Sequence, residues 1–236
     1  TLNLTRDNTQ GDFQGNTIIK EGTLGITSQN NLAEGKLFLD GGDLRTNASL
    51  SFDKEIIVNS TGGIDTALDA LGNKTEVTVS SKIQGNGGFV KSGEGTLTLL
   101  ADNAYAGGTQ VKGGTLLVSQ DSNLGLSSTS IELDGGTVKL NAADSVDFKT
   151  KDNAQDIDDA DARILSIGSG GGTLDIAGLD VAIETALTGK GTLTQKGKDS
   201  ILTLTANNTA LEGGVTVENG TLKIANNTNL GALAAT

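Results

Sequence analysis

The sequence predicts an all-β solenoid of stacked coils, and three observations carry that expectation. Short blocks recur along the chain in a fixed order and phase. Each block alternates apolar and polar residues with period two, the mark of a half-buried strand. No proline occurs in the 236 residues, and proline would delete a ladder hydrogen bond from any central strand.

The first block opens the chain, Thr1-Leu-Asn-Leu-Thr-Arg-Asp-Asn8. It returns as Thr96-Leu-Thr-Leu-Leu-Ala-Asp-Asn103 and Ile201-Leu-Thr-Leu-Thr-Ala-Asn-Asn208, with spacings of 95 and 105 residues from Leu2 to Leu97 to Leu202. Downstream of each lies a second block: Gly22-Thr-Leu-Gly-Ile, Gly114-Thr-Leu-Leu-Val and Gly220-Thr-Leu-Lys-Ile. Eight residues after Leu24, Leu116 and Leu222 come Leu32, Leu124 and Leu230, each preceded by an asparagine (Asn31, Asn123, Asn229). A third block, Leu-Asp-Gly-Gly, places Asp40 and Asp134 in one frame. Thr, Val and Ile suit a pleated strand, whereas Gly, Asn and Asp tolerate positive φ at corners.

Strand runs every ~8–12 residues would also suit a sandwich or barrel, but fixed-phase repetition favours stacked coils. At ~20–25 residues per coil the chain makes about ten coils, and at ~4.8 Å per coil a rod of about 50 Å. The whole of 1–236 reads as one array, with repeats starting near 1, 96 and 201. Alternation places Leu97, Leu99, Leu116, Val118, Leu202, Leu204, Leu222 and Ile224 inside, and Thr96 and Thr98 outside. Two stretches break the pattern. Ile64, Ala67, Leu68 and Leu71 have helical spacing near 64–72, and 151–163 is an acidic run without glycine. Each reads as a short helix or as a loop excursion, with the excursion preferred.

Composition excludes whole classes of chemistry. Without Cys or His there are no disulfides, zinc fingers, Cys or His nucleophiles, or Ser-His-Asp triads. The net charge of −12 repels nucleic acid and anionic lipid. With 35% hydrophobic and 19% charged residues the chain is not composed like a disordered one. It carries 30 Thr and 34 Gly but one Tyr and no Trp, so its core rests on aliphatic side chains. No apolar run approaches the ~20 residues of a membrane span, and no basic-then-apolar leader opens the chain. Thr1 in place of Met suggests a processed chain or an excised piece.

Recurrence separates scaffold from site, because catalysis needs one constellation whereas a coil-forming residue reappears. Asp40 and Asp134 read as turn formers, and Asn8, Asn103 and Asn208 as corner residues bonded to neighbouring backbone. The glycine pairs around 85–95 and 189–191 lack the rest of a phosphate loop. Asp152, Asp156, Asp158, Asp159 and Asp161 supply oxygen ligands of the kind calcium takes. That run lacks the central Gly and closing Glu of a calcium loop, so a solvated acidic loop is the expectation. A glycosidase needs two carboxyls ~5–9.5 Å apart, which Asp40 and Asp43 could supply. With three Arg and almost no aromatics for stacking sugars, an enzyme is not expected, nor is a cofactor.

The segment from Gly87 to Val118 resembles the passenger-associated repeat of bacterial autotransporters. Lys91, Gly93, Gly95, Thr96, Leu97, Asn103, Tyr105, Gly107, Gly108, Thr109, Val111, Gly114, Thr115 and Leu116 fall on that family's pattern. A weaker copy runs from Gly189 to Ile224, with Ala210 at the Tyr position. The first copy departs further, with Gln10 to Phe13 in place of the Tyr segment and Asn16 in place of the second Gly. The resemblance implies a right-handed parallel β-helix, exported through an outer-membrane barrel that this chain lacks and displayed on a Gram-negative cell surface. It implies adhesion or self-association, with partners on neighbouring cells or among host surface proteins and glycans. The alternatives are a passive stalk carrying a distal domain and, third, a polysaccharide-acting enzyme.

Overall fold

The computed structural model describes residues 1–6, 8, 13–141, 163–176 and 178–232. Among them the protein is all-β, with 25 short strands, three 3-10 turns and no α-helix. The strands stack as parallel neighbours in four sheets, named here A to D. Sheet A has nine strands, from Leu2–Leu4 to Thr188–Gly189, and sheet C eight, from Leu50–Phe52 to Val215–Val217. Sheet B has five, from Thr17–Ile19 to Ala104–Tyr105, and sheet D the three strands Asp180–Ile183, Ile201–Leu204 and Thr221–Ile224. One coil shows the path: Phe89–Ser92 lies in A, Thr96–Leu99 in C, Ala104–Tyr105 in B, and Thr109–Val111 is back in A. This is a three-faced solenoid.

The nine strands of sheet A make eight steps and the parallel bridge from Gly189 to Leu211 adds a ninth, so the described residues make about nine turns, close to the expected ten. The inward positions Leu24, Leu44, Ile64, Lys91, Val111, Leu133, Ile167 and Gly189 stack in register. Most of these steps are nearly equal in length. Two are longer, from Ile64 to Lys91 and from Leu133 to Ile167. The first contains the stretch near 64–72, which is not a helix. Ile64 sits in strand Gly62–Thr66, paired with Leu44 and Lys91, because a helical turn would forfeit both parallel ladders. The chain then leaves the rod, and Leu68 and Lys74 close an antiparallel bridge. The Asp69 carboxylate accepts from the backbone of Leu71 and Asn73 at 2.8 Å each, and Leu71 stands 87% exposed. The run at 151–163 lies outside the described residues except for Arg163.

The core is a column of aliphatic side chains along the axis. Leu97, Leu99, Leu116, Val118, Leu202 and Leu204 are buried, whereas Thr96 and Thr98 face outward and are half-buried. The expectation fails for Leu222 and Ile224. Leu222 is only half-buried and Ile224 is 39% exposed. Their strand is the last of sheet D and pairs on one side only, so among the described residues no further coil covers them.

Each repeat closes one turn in register with itself, so its two strands become neighbours. Leu2 pairs with Leu24, Leu97 with Leu116, and Leu202 with Leu222. The pairs fall on three different sheets, A, C and D. Successive repeats are thus advanced by one face, because the distance between them holds four turns and a fraction. The glycine that enters each second strand (Gly22, Gly114, Gly220) has φ of +73°, +58° and +91°, which explains why glycine recurs there.

Candidate functional site

The recurrent asparagines tie one coil to the next. Asn103 is buried, its Oδ1 accepting from Ile83 N at 2.8 Å and its Nδ2 donating to the Asn123 carbonyl at 2.6 Å. Asn208 repeats this with Leu187 N at 2.9 Å and the Asn229 carbonyl at 2.6 Å. Asn8 sits in the first of the described coils. Its Oδ1 accepts instead from Phe13 N at 2.7 Å, and its Nδ2 reaches the Leu32 carbonyl at 3.3 Å.

The second set, Asn31, Asn123 and Asn229, occupies one position in the three 3-10 turns 29–31, 121–124 and 227–230. Each Oδ1 accepts from two backbone N–H groups at the turn's entry. Each Nδ2 donates back to the residue two before the matching corner asparagine: Arg6, Ala101 and Ala206. Corner and turn asparagines therefore form reciprocal clamps between coils, satisfying backbone groups that a corner leaves without a ladder partner.

The two Leu-Asp-Gly-Gly frames also serve adjacent coils. The Asp40 carboxylate accepts from Asn59 Nδ2 at 3.0 Å, and Asp134 from Gly170 N at 2.7 Å. Asp43, on the outer face of sheet A, pairs in register with Gly63. Burial raises its carboxyl above the ordinary range, the Gly63 N–H opposing that shift and Asp65 adding to it. Asp65 is itself held by Arg45 at 2.7 Å. Among the described residues no group of three or more acidic side chains is placed to hold a metal. The calcium candidates Asp152, Asp156, Asp158, Asp159 and Asp161 lie outside the described residues.

Two cations are buried, and the sequence reading placed neither of them inside. Lys91 takes an inward position between Ile64 and Val111, and its Nζ donates to the carbonyls of Ser92, Gly93 and Gly113 at 2.8–3.0 Å. Burial pushes it down to about 8, with the Asp65 carboxylate opposing. The signal was present, since alternation from buried Phe89 points Lys91 inward. Arg163 is fully buried. It binds Asp121 through Nε at 2.5 Å and Nη2 at 2.9 Å and donates to the carbonyls of Gly125 and Leu126 at 2.9 and 3.0 Å. Asp121 belongs to an earlier coil, so no local pattern could reveal the pair. Beside it Tyr105 is buried, 2.7 Å from Thr109 Oγ1, with its ring centroid 5.6 Å from that of Phe89. Gly125, at φ +81°, passes so near that a Cβ would lie 2.7 Å from the Tyr105 ring.

The outer surface carries the remaining chemistry. Parallel register aligns Thr96, Thr115, Thr137, Thr173, Thr194 and Thr216 in one outward row on sheet C. Two residues along each strand, Lys139, Asp175 and Lys196 form an adjacent row that Glu218 extends. Lys139 meets Asp175 at 3.3 Å and Lys196 meets Glu218 at 3.1 Å. A polar groove of about 380 Å³ borders Thr173 and Thr194, lined by Lys190, Thr192 and glycines.

These features define a repeat-built β-solenoid with clamped corners and hydroxyl-bearing outer faces. The family model described as passenger-associated-transport repeat matches residues 1–26, 89–118 and 199–224. Each match spans the paired strands of one closed turn, and the matches support a resemblance to autotransporter passengers that carry these repeats. It is 33% identical over 154 residues, 65% of its length, to the adhesin BmaC autotransporter of Brucella suis biovar 1 (strain 1330). The chain spans about 4% of that relative's length. No solved structure matches it.

Proposed function

We propose that the chain is a non-catalytic, adhesive segment of a passenger displayed on a Gram-negative cell surface, binding neighbouring cells or host surface protein or glycan through its outer faces. The row of six threonines on sheet C carries this reading. A hydroxyl both donates and accepts, so a regular row can bond to varied partners without needing opposite charge. Each bond adds only about 0.5–1.5 kcal/mol net, so useful affinity needs many contacts along a rod and many rods on a cell. The likeness to an adhesin over 65% of the chain supports the reading. Its test is the full-length protein expressed on cells with and without residues 1–236. Deletion is expected to reduce clumping or attachment to host cells. Unchanged clumping and unchanged attachment would leave a stalk that only spaces a distal domain.

A further inference from the structure

We propose that the outer face of sheet C binds a second copy of this chain, face to face and antiparallel. This rests on the reading above that the outer faces are adhesive, and names the face, the partner and the register.

The inference comes from the row beside the threonines. Lys139, Asp175, Lys196 and Glu218 follow one another on four successive coils, so charge alternates plus, minus, plus, minus along the rod. Two copies that set this row against itself can meet about a two-fold axis in one of two ways. With the axis along the rod and over this row, the copies run parallel and equal heights coincide. Lys139 then approaches Lys139 and Asp175 approaches Asp175, which like-charge repulsion disfavours. With the axis along the strands, the copies run antiparallel and heights invert. Centred between Asp175 and Lys196, that operator sets Lys139 against Glu218 and Asp175 against Lys196. All four contacts per pair of rows are then between opposite charges.

The same operator keeps each row opposite itself. Thr137 faces Thr216 and Thr173 faces Thr194, so hydroxyl meets hydroxyl where either can donate. The patch is locally neutral on a chain of net charge −12, and so escapes the repulsion that opposes self-contact elsewhere. Such a contact is isologous, as a two-fold dimer requires. It overlaps four coils, about 19 Å along the rod. That is small beside a stable interface of roughly 1,200 Å² or more, so the contact is weak and gains strength only in arrays.

Charge reversal tests the face. Lys139→Glu with Lys196→Glu makes the row wholly acidic, and Asp175→Lys with Glu218→Lys makes it wholly basic. Sedimentation of the 236-residue chain at up to about 1 mM should show a dimer. Each double variant alone should self-associate at least about tenfold more weakly, and an equimolar mixture should restore association. Net charge makes the controls informative. The second variant is less negative than the natural chain, so if overall repulsion governed association it would dimerise better, which would overturn the proposal. Monomers throughout for the natural chain would overturn it too, while leaving adhesion to other surfaces standing.

Orientation is read separately, since the chain has no cysteine of its own. Thr137→Cys mixed with Thr216→Cys should oxidise chiefly to the mixed dimer. Disulfides formed chiefly within the Thr137→Cys protein would sink the antiparallel register.

Discussion

Removing the Asn103 amide strands two backbone groups at once, the Ile83 N–H and the Asn123 carbonyl, both at a buried corner. Each unpaired group costs about 1–3 kcal/mol, so Asn103→Ala should lower stability by roughly 2–5 kcal/mol, read from the urea midpoint. Asn8→Ala should cost clearly less, because Asn8 is only half-buried and bonds Phe13 within its own loop.

Lys91 acts through charge instead of shape. Burial holds its ammonium at about 8, below the usual 10.5 that it regains on unfolding. Between those values the unfolded chain binds more protons, so stability should rise as pH climbs from about 8 to about 10.5, by up to roughly 3 kcal/mol. Lys91→Met keeps a chain of similar length but cannot titrate, so its denaturation curves should lack that rise. Equal pH profiles for the two proteins would show that Lys91 is not desolvated in the fold.

At the scale of the strand, position along the stack decides what a side chain is worth. Leu116 and Leu222 hold the same place in their repeats, yet Leu116 is flanked by strands on both sides and Leu222 on one. Leu116→Ala should cost about 2–5 kcal/mol, the range for a fully buried leucine. Leu222→Ala should cost about a third of that in thermal or urea unfolding. Equal losses would mean that the last coil is covered as well as an interior one. The alternation in Thr-Leu-x-Leu made both leucines legible as inward-facing, because side-chain direction in a strand is local. Their unequal burial was not legible, since it depends on what stacks above.

For the whole molecule, the number of turns and the phase of the repeats follow from residues that do not repeat. The two long coils, Ile64 to Lys91 and Leu133 to Ile167, carry excursions that the other coils lack, so the repeats are not evenly spaced. The advance of one face per repeat distributes equivalent corners over three sheets, so no single face collects all the repeat motifs. The threonine row arises differently, from strands inside and between repeats that share sheet C. A search for evenly spaced motifs could not assemble it, because the steps between its members are unequal and widest from Thr137 to Thr173.

The sequence by itself determined the strand character, most of the inward aliphatic positions and the coil-forming asparagines, because period-two alternation and corner chemistry are properties of a few consecutive residues. It also excluded cysteine and histidine chemistry by composition. Only the tertiary structure decided which coils lie beside which, and that choice brought Arg163 to Asp121, seated Lys91 among three carbonyls, and aligned threonines and alternating charges on one face. The reason is register. In a solenoid every lateral neighbour comes from another turn, and the length of each turn is set by its loops, which no local pattern encodes.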